Sequence, residues 1–221
     1  IEDLALRIKE ADPDHPVTTM LAGIDSPTVS AIAKRAPSLD FLSFQIYGEI
    51  DQLPNILEKV GYDGPYQVTE WGPTGHWESP ETHWKRPFEA SSTQKANDIA
   101  RRYEEIILAD SKCCLGAHIF LWGQKQERTP TWYGMFLEAG ERTAAVDVMQ
   151  KAWTGEWPAQ RAPEIQSLRL NDQEAPAGVE GITNQVFRAE VDAADKDDHL
   201  ISWRVREEVP AALQSDGGDF E

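Results

Sequence analysis

Four times in its first 160 or so residues the chain runs a short apolar stretch into an amphipathic one. Residues 17–24 read as a strand, and Asp25-Ser26-Pro27 behind them reads as a helix N-cap with proline opening the first turn. A helix over 27–36 follows and stops at Pro37. The next strand is 39–47. Asp51 then caps a helix to Val60, and Gly61 suits its C-terminal turn. Residues 65–70 make a third strand, a long segment follows, and Ser91-Ser92-Thr93-Gln94 offers a capping box. Behind it Ala96, Ile99, Ala100, Tyr103, Ile106 and Ile107 recur at helical spacing. Residues 115–122 are the fourth strand and 142–153 the last helix.

Strand-then-helix repetition of this kind implies a parallel sheet with covering helices. The strands are apolar runs, as expected where both sheet faces are buried. Four units are half of an eight-unit barrel of about 250 residues. An open doubly wound sheet is the alternative. No Gly-x-Gly-x-x-Gly turn and no phosphate loop occurs, which removes the main nucleotide-binding readings.

The remainder has a different character. From Glu164 to Glu221 there are 14 acidic and 5 basic residues, and the junction over 153–163 is broken by Gly155, Pro158 and Pro163. Ile165–Leu170, 185–191 and 200–205 are strand-like pieces between turns, as in part of a β-sandwich. Two domains are expected, 1–158 and 159–221. The chain opens at Ile1 and closes on Asp-Gly-Gly-Asp-Phe-Glu, and we expect a piece of a longer protein.

Charge and cysteines exclude several functions. With 38 acidic and 21 basic side chains the net charge is −17, so a nucleic-acid partner is not expected. No apolar run of about 18 residues occurs, so no membrane insertion is expected either. Cys113 and Cys114 are adjacent, read as free thiols, and lack metal-type spacing. His76 and His83 fit no standard metal pattern, and the acidic run 192–198 lacks the glycine and terminal glutamate of a helix–loop–helix calcium site. Neither a metal nor a cofactor is expected.

The densest group of reactive and aromatic side chains lies at the strand ends. Strand three closes on Thr69-Glu70-Trp71-Gly72, which puts the Glu70 carboxylate where βα loops build sites in parallel folds. The loop behind it carries His76, Trp77, Glu78, His83 and Trp84. Strand four carries His118 and closes on Trp122, with Trp132 and Tyr133 soon after, and strand two closes on Tyr47. A carboxylate among aromatic rings is what a glycosidase needs. The rings stack on sugar faces, and the carboxylate attacks or stabilises an oxocarbenium-like centre. Glu70 is therefore the candidate catalytic residue, and Tyr47, Trp71, Trp77, Trp84, His118, Trp122 and Trp132 are the candidate sugar-binding residues.

The stretch Pro65-Tyr66-Gln67-Val68-Thr69-Glu70-Trp71-Gly72 resembles the seventh barrel strand of the clan A retaining glycoside hydrolases. There a Thr-Glu-aromatic-Gly motif carries the nucleophile. Asp12-Pro13-Asp14-His15-Pro16-Val17-Thr18 resembles the link into the fifth strand of the β-galactosidase/β-glucuronidase family. Asp40-Phe41-Leu42-Ser43-Phe44-Gln45-Ile46-Tyr47 resembles the sixth strand, and 115–122 the eighth. The resemblance covers residues 1–158. It implies strands 5–8 of a TIM barrel, Glu70 as nucleophile, Tyr47 as its hydrogen-bonding tyrosine and Trp122 as a sugar platform.

The sequence departs from the clan in having no Asn-Glu pair, the setting of the acid/base carboxylate. Retaining hydrolysis needs two carboxyl groups about 5 Å apart, so the chain alone is expected to turn over poorly or not at all. Glu49, Glu78 and Glu81 read as loop carboxylates rather than substitutes. The tail resembles the immunoglobulin-like modules of secreted glycosidases, which implies an extracellular or periplasmic parent. Two other functions fit the same residues. One is a carbohydrate-binding protein without turnover, and the other a half-barrel that completes itself as a homodimer through its open edges.

Overall fold

The computed structural model describes residues 1–174, 179–194, 200–205 and 207. In chain order it forms α1 (Glu2–Ala11), β1 (Thr18–Ala22), α2 (Ser26–Arg35), β2 (Phe41–Gln45), α3 (Leu53–Val60), β3 (Tyr66–Trp71), α4 (Ser92–Arg102), β4 (Cys114–Ile119), α5 (Ala144–Thr154), β5 (Ile165–Leu170), β6 (Gln173–Glu174) and β7 (Ala189–Ala193). Two compact units result, Ile1–Pro73 with Ala100–Phe120, and Thr74–Ile99 with Leu121–Glu221. The long segment behind β3 and the loops behind β4 group with the tail.

The first unit holds a four-stranded parallel sheet in the order β1-β2-β3-β4. Parallel neighbours in sequence order need crossover connections, which as a rule are right-handed. Leu42, Phe44, Tyr66, Val68 and Trp71 are buried on the covered face.

Local signals account for the helix ends. The Asp25 side chain accepts from the Thr28 amide at 2.9 Å. Gly61 ends α3 at φ +66°, a conformation that favours glycine. Ser91 and Gln94 cap α4 reciprocally, each side chain accepting from the other's amide.

Two expectations fail here. Asp51 caps nothing, because residues Gly48–Gln52 form a 3₁₀ turn before α3 and Asp51 turns to Arg101 and Arg102. The helix behind the capping box is not α-helical to its end, since Tyr103–Ile107 widen into a π turn.

The second unit holds α5 and a small antiparallel sheet, β6-β5-β7. Ile165–Leu170 is a strand as expected, and the strand expected at 185–191 begins only at Ala189. Residues 200–205 form no strand. Leu200 and Val205 stay almost fully exposed, so their apolar pattern is not buried against a neighbour. Part of the 192–198 run lies outside the described residues. Among those described, no helix is long and apolar enough to cross a membrane.

Candidate functional site

Within the first unit, the ends of β2 and β3 bring three side chains together. The Tyr47 hydroxyl donates to Glu70 Oε1 at 2.7 Å. Gln45 Nε2 donates to Glu70 Oε2 at 3.3 Å. Both carboxylate oxygens are thus addressed from the last residue of β2 and the bend that follows it, which fixes the plane of the group. The main chain is tied as well, because the Ile46 amide donates to the Glu70 carbonyl at 2.8 Å.

An irregularity in β3 makes this possible. Phe44 pairs with Val68, but Gln45 pairs with Glu70, so β3 carries one residue more than β2 at Thr69. Against β4 the same stretch also runs one residue long, Val68 pairing with Ala117 and Trp71 with Ile119. Without the extra residue, Glu70 would share the covered face with Tyr66 and Val68, because side chains alternate along a strand. With it, Glu70 joins Gln45 and Tyr47 on the opposite face, and Trp71 takes the covered one.

The residues after Glu70 are held closely. Trp71 is fully buried and its ring stacks on Tyr103, centroids 6.0 Å apart and 15° from parallel. A Cβ on Gly72 would lie 2.6 Å from the Phe120 carbonyl oxygen, closer than any side chain tolerates. The Phe120 ring meets the Tyr47 ring edge-on at 6.1 Å. Arg102, 3% exposed, donates to the Gly72 carbonyl at 3.1 Å and to Asp51 at 3.4 Å. Arg101 donates to the same carboxylate at 3.0 Å. Burial works to raise the Asp51 pKa, and the two guanidinium groups outweigh it and hold the carboxyl below its usual range.

On β4, His118 is exposed and alternation puts it on the Glu70 face, since Ala117 and Ile119 pair with covered-face residues. Apolar Met20 on β1 and Leu115 on β4, the two outer strands, are about 60% exposed, at 61% and 60%.

The other expected site residues lie in the second unit. Trp77 and Trp122 are 58% and 64% exposed and rest edge-on against His76 and Phe136. Trp84 is also exposed and meets the edge of His83. Trp132 is buried, and its indole N–H donates to the Thr74 carbonyl at 3.0 Å. Trp71 and Trp132 therefore present no free ring face. Each is too large and apolar to leave the interior once a neighbouring ring packs against it.

His76 is buried beside Glu127. Arg128 Nε donates to its Nδ1 at 3.4 Å, so the ring proton sits on Nε2 and is shared with Glu127 at 3.2 Å. Among the described residues no three His, Cys, Asp or Glu side chains converge as a metal would require.

Gln45 and Arg102 are the residues that sequence reasoning missed. Gln45 lies two before Tyr47, hence on the same strand face, and that spacing was readable. Nothing local marks Arg102 as a partner of Gly72.

No known family model matches the sequence, and no curated protein does. Among solved structures, the chain is similar to a calcium-binding mutant of Bacteroides uniformis β-glucuronidase 2, with TM-score 0.52 and 17% identity over 75% of this chain and 20% of that one. It also matches a Ruminococcus gnavus β-glucuronidase bound to D-glucuronic acid at TM-score 0.49 and 13% identity, and an exo-β-agarase at TM-score 0.44 and 21% identity. These cover 68% of this chain each, and 28% and 21% of the neighbours. The chain thus spans about a quarter of the structures it matches, and at these identities the likeness concerns the fold.

Proposed function

We propose that this chain is the nucleophile-bearing part of a retaining glycoside hydrolase. Its strands β1–β4 stand as the fifth to eighth of a (β/α)8 barrel, and its tail is part of an immunoglobulin-like module. The observation that carries the reading is Glu70 itself. It closes a strand of a parallel sheet, on the side where such folds build their sites, with both carboxylate oxygens oriented by Gln45 and Tyr47.

In this role Glu70 attacks the anomeric carbon while the bond to the leaving oxygen breaks, and a second carboxylic acid protonates that oxygen. The glycosyl ester on Glu70 is then displaced by water, whose proton goes to the second carboxylate. That second group comes from outside these 221 residues. Beside Glu70 in the first unit, His118 and Tyr47 offer polar contacts to a sugar, and in the second unit Trp77, Trp84 and Trp122 offer exposed rings of the kind that stack on saccharides. An extracellular or periplasmic parent fits a polysaccharide or glycoside substrate. Taken alone, the chain leaves one edge of β1 and one of β4 unpaired in its sheet, so self-association through those edges accompanies low activity.

The test uses the complete product of the gene that encodes this chain. It is incubated with 2,4-dinitrophenyl 2-deoxy-2-fluoro glycosides, whose leaving group departs without an acid. The shared fold with a β-glucuronidase makes the glucuronide the first to try. A covalent label on the peptide containing Glu70, lost in Glu70→Gln, is the expected result. Label on another carboxylate overturns the assignment. Saccharide binding with no label on any member of the panel favours a binding protein that uses the exposed tryptophans alone.

A further inference from the structure

We propose that Arg102 is a positioning residue for Glu70, acting with Asp51 to set the geometry of the Glu70–Tyr47 pair. The inference rests on the nucleophile role given to Glu70 above.

The contacts form a closed circuit. Glu70 accepts from Tyr47 at 2.7 Å. Tyr47 leads directly into the 3₁₀ turn that contains Asp51. Asp51 accepts from Arg102, and Arg102 donates to the carbonyl of Gly72, two residues beyond Glu70. One guanidinium therefore bridges the segments that follow the two residues of the pair. Tyr103, next to Arg102, stacks on Trp71 and holds the residue in between. This happens where the helix changes from α to π, a widening that recurs at functional sites.

Stability alone does not account for Arg102. A buried ion pair contributes little net stability compared with apolar packing of the same volume. A planar fork, however, addresses two acceptors in fixed directions, which a lysine ammonium on a flexible stem does not. Here one acceptor lies in the 3₁₀ turn that follows Tyr47 and the other just past the end of β3, so the fork spans the two segments that carry the Glu70–Tyr47 hydrogen bond.

The test replaces Arg102 by Lys and Asp51 by Asn in the 221-residue chain labelled with ¹³C at the tyrosine Cζ. That carbon reports whether its hydroxyl is hydrogen-bonded. Glu70→Ala supplies the reference position of the Tyr47 signal with the acceptor gone. We expect Arg102→Lys and Asp51→Asn to move the Tyr47 signal toward that position with the overall fold retained. In the complete gene product, Asp51→Asn should slow labelling of Glu70 about 10- to 100-fold, the scale for a misplaced reacting group, without weakening reagent binding.

A Tyr47 signal at its wild-type position in both folded variants overturns the proposal. Unfolding of both overturns it too, because Arg102 then carries the fold rather than one pair. A wild-type product that takes no label disposes of the nucleophile role, while the Tyr47 signal still reads the positioning.

Discussion

Tyr47, two residues past the end of β2, and Glu70, on the neighbouring strand β3, lie 23 residues apart, and the hydroxyl of one donates to the carboxylate of the other at 2.7 Å. The bond ties the Glu70 carboxylate to a rigid scaffold. Tyr47 is itself immobilised, being buried and packed edge-on against Phe120.

Removing that donor tests its contribution. A hydrogen bond to a charged group is worth about 1.5–3 kcal/mol. Tyr47→Phe in the complete gene product should therefore slow labelling of Glu70 about 10- to 100-fold, with reagent affinity nearly unchanged. Labelling at the wild-type rate would show that Gln45 and the main chain suffice.

Gly72 tests the close approach of β3 to the end of β4. An added Cβ would sit 2.6 Å from a main-chain oxygen that cannot swing away. Gly72→Ala should cost about 1–3 kcal/mol, the range for forced overpacking, read as a lower urea midpoint. An unchanged midpoint would mean that the strands separate there without cost.

The tryptophans divide by burial. Trp71→Ala empties a fully buried site stacked on Tyr103 and should destabilise the fold by about 3–5 kcal/mol. Trp122→Ala removes a ring that is 64% exposed. It should leave the melting temperature within a degree or two while weakening saccharide binding, measured by calorimetry. Equal stability losses from the two would contradict this division.

Asp51 gives a pH signature. Its pKa is held down in the folded chain, so the unfolded state takes up protons first as pH falls. The stabilisation is fully present above the unfolded value of about 3.9 and fades as pH drops through the folded value. Urea unfolding of wild type and Asp51→Asn should therefore differ most near pH 6, and the difference should shrink as pH falls below about 3.9. A constant difference across that range would place the effect of the substitution elsewhere.

Lys95 should prove costly to remove. Its ammonium is buried, donates to Glu89 and to the Thr131 carbonyl, and burial depresses its pKa against the attraction of Glu89. Lys95→Met leaves Glu89 largely buried without its cation and should cost about 3–5 kcal/mol in guanidinium unfolding. The double variant Lys95→Met/Glu89→Gln should recover part of that loss.

How much of this was legible beforehand follows from how local each signal is. Asp25, Gly61 and the Ser91–Gln94 box act on their own turns, so the sequence marked those helix ends. The apolar strand runs implied a parallel sheet for the same reason, since burial on both faces is written residue by residue. The Thr-Glu-Trp-Gly motif located Glu70 at a strand end, and the resemblance of residues 40–47 to the sixth strand implied Tyr47 as its partner.

Other features depended on partners remote in sequence. Asp51 looked like a cap until two arginines about 50 residues away claimed its carboxylate. Trp71 looked like a sugar platform, and alternation alone would have put Glu70 beside Tyr66 and Val68 on the covered face. The extra residue at Thr69 reverses both assignments. Strand register is fixed by the hydrogen bonds of three strands together, and no one of them encodes it alone. The sequence by itself determined the strand-and-helix alternation and which carboxylate ends β3. Only the tertiary structure decided which face that carboxylate occupies and that Gln45 joins Tyr47 in holding it there.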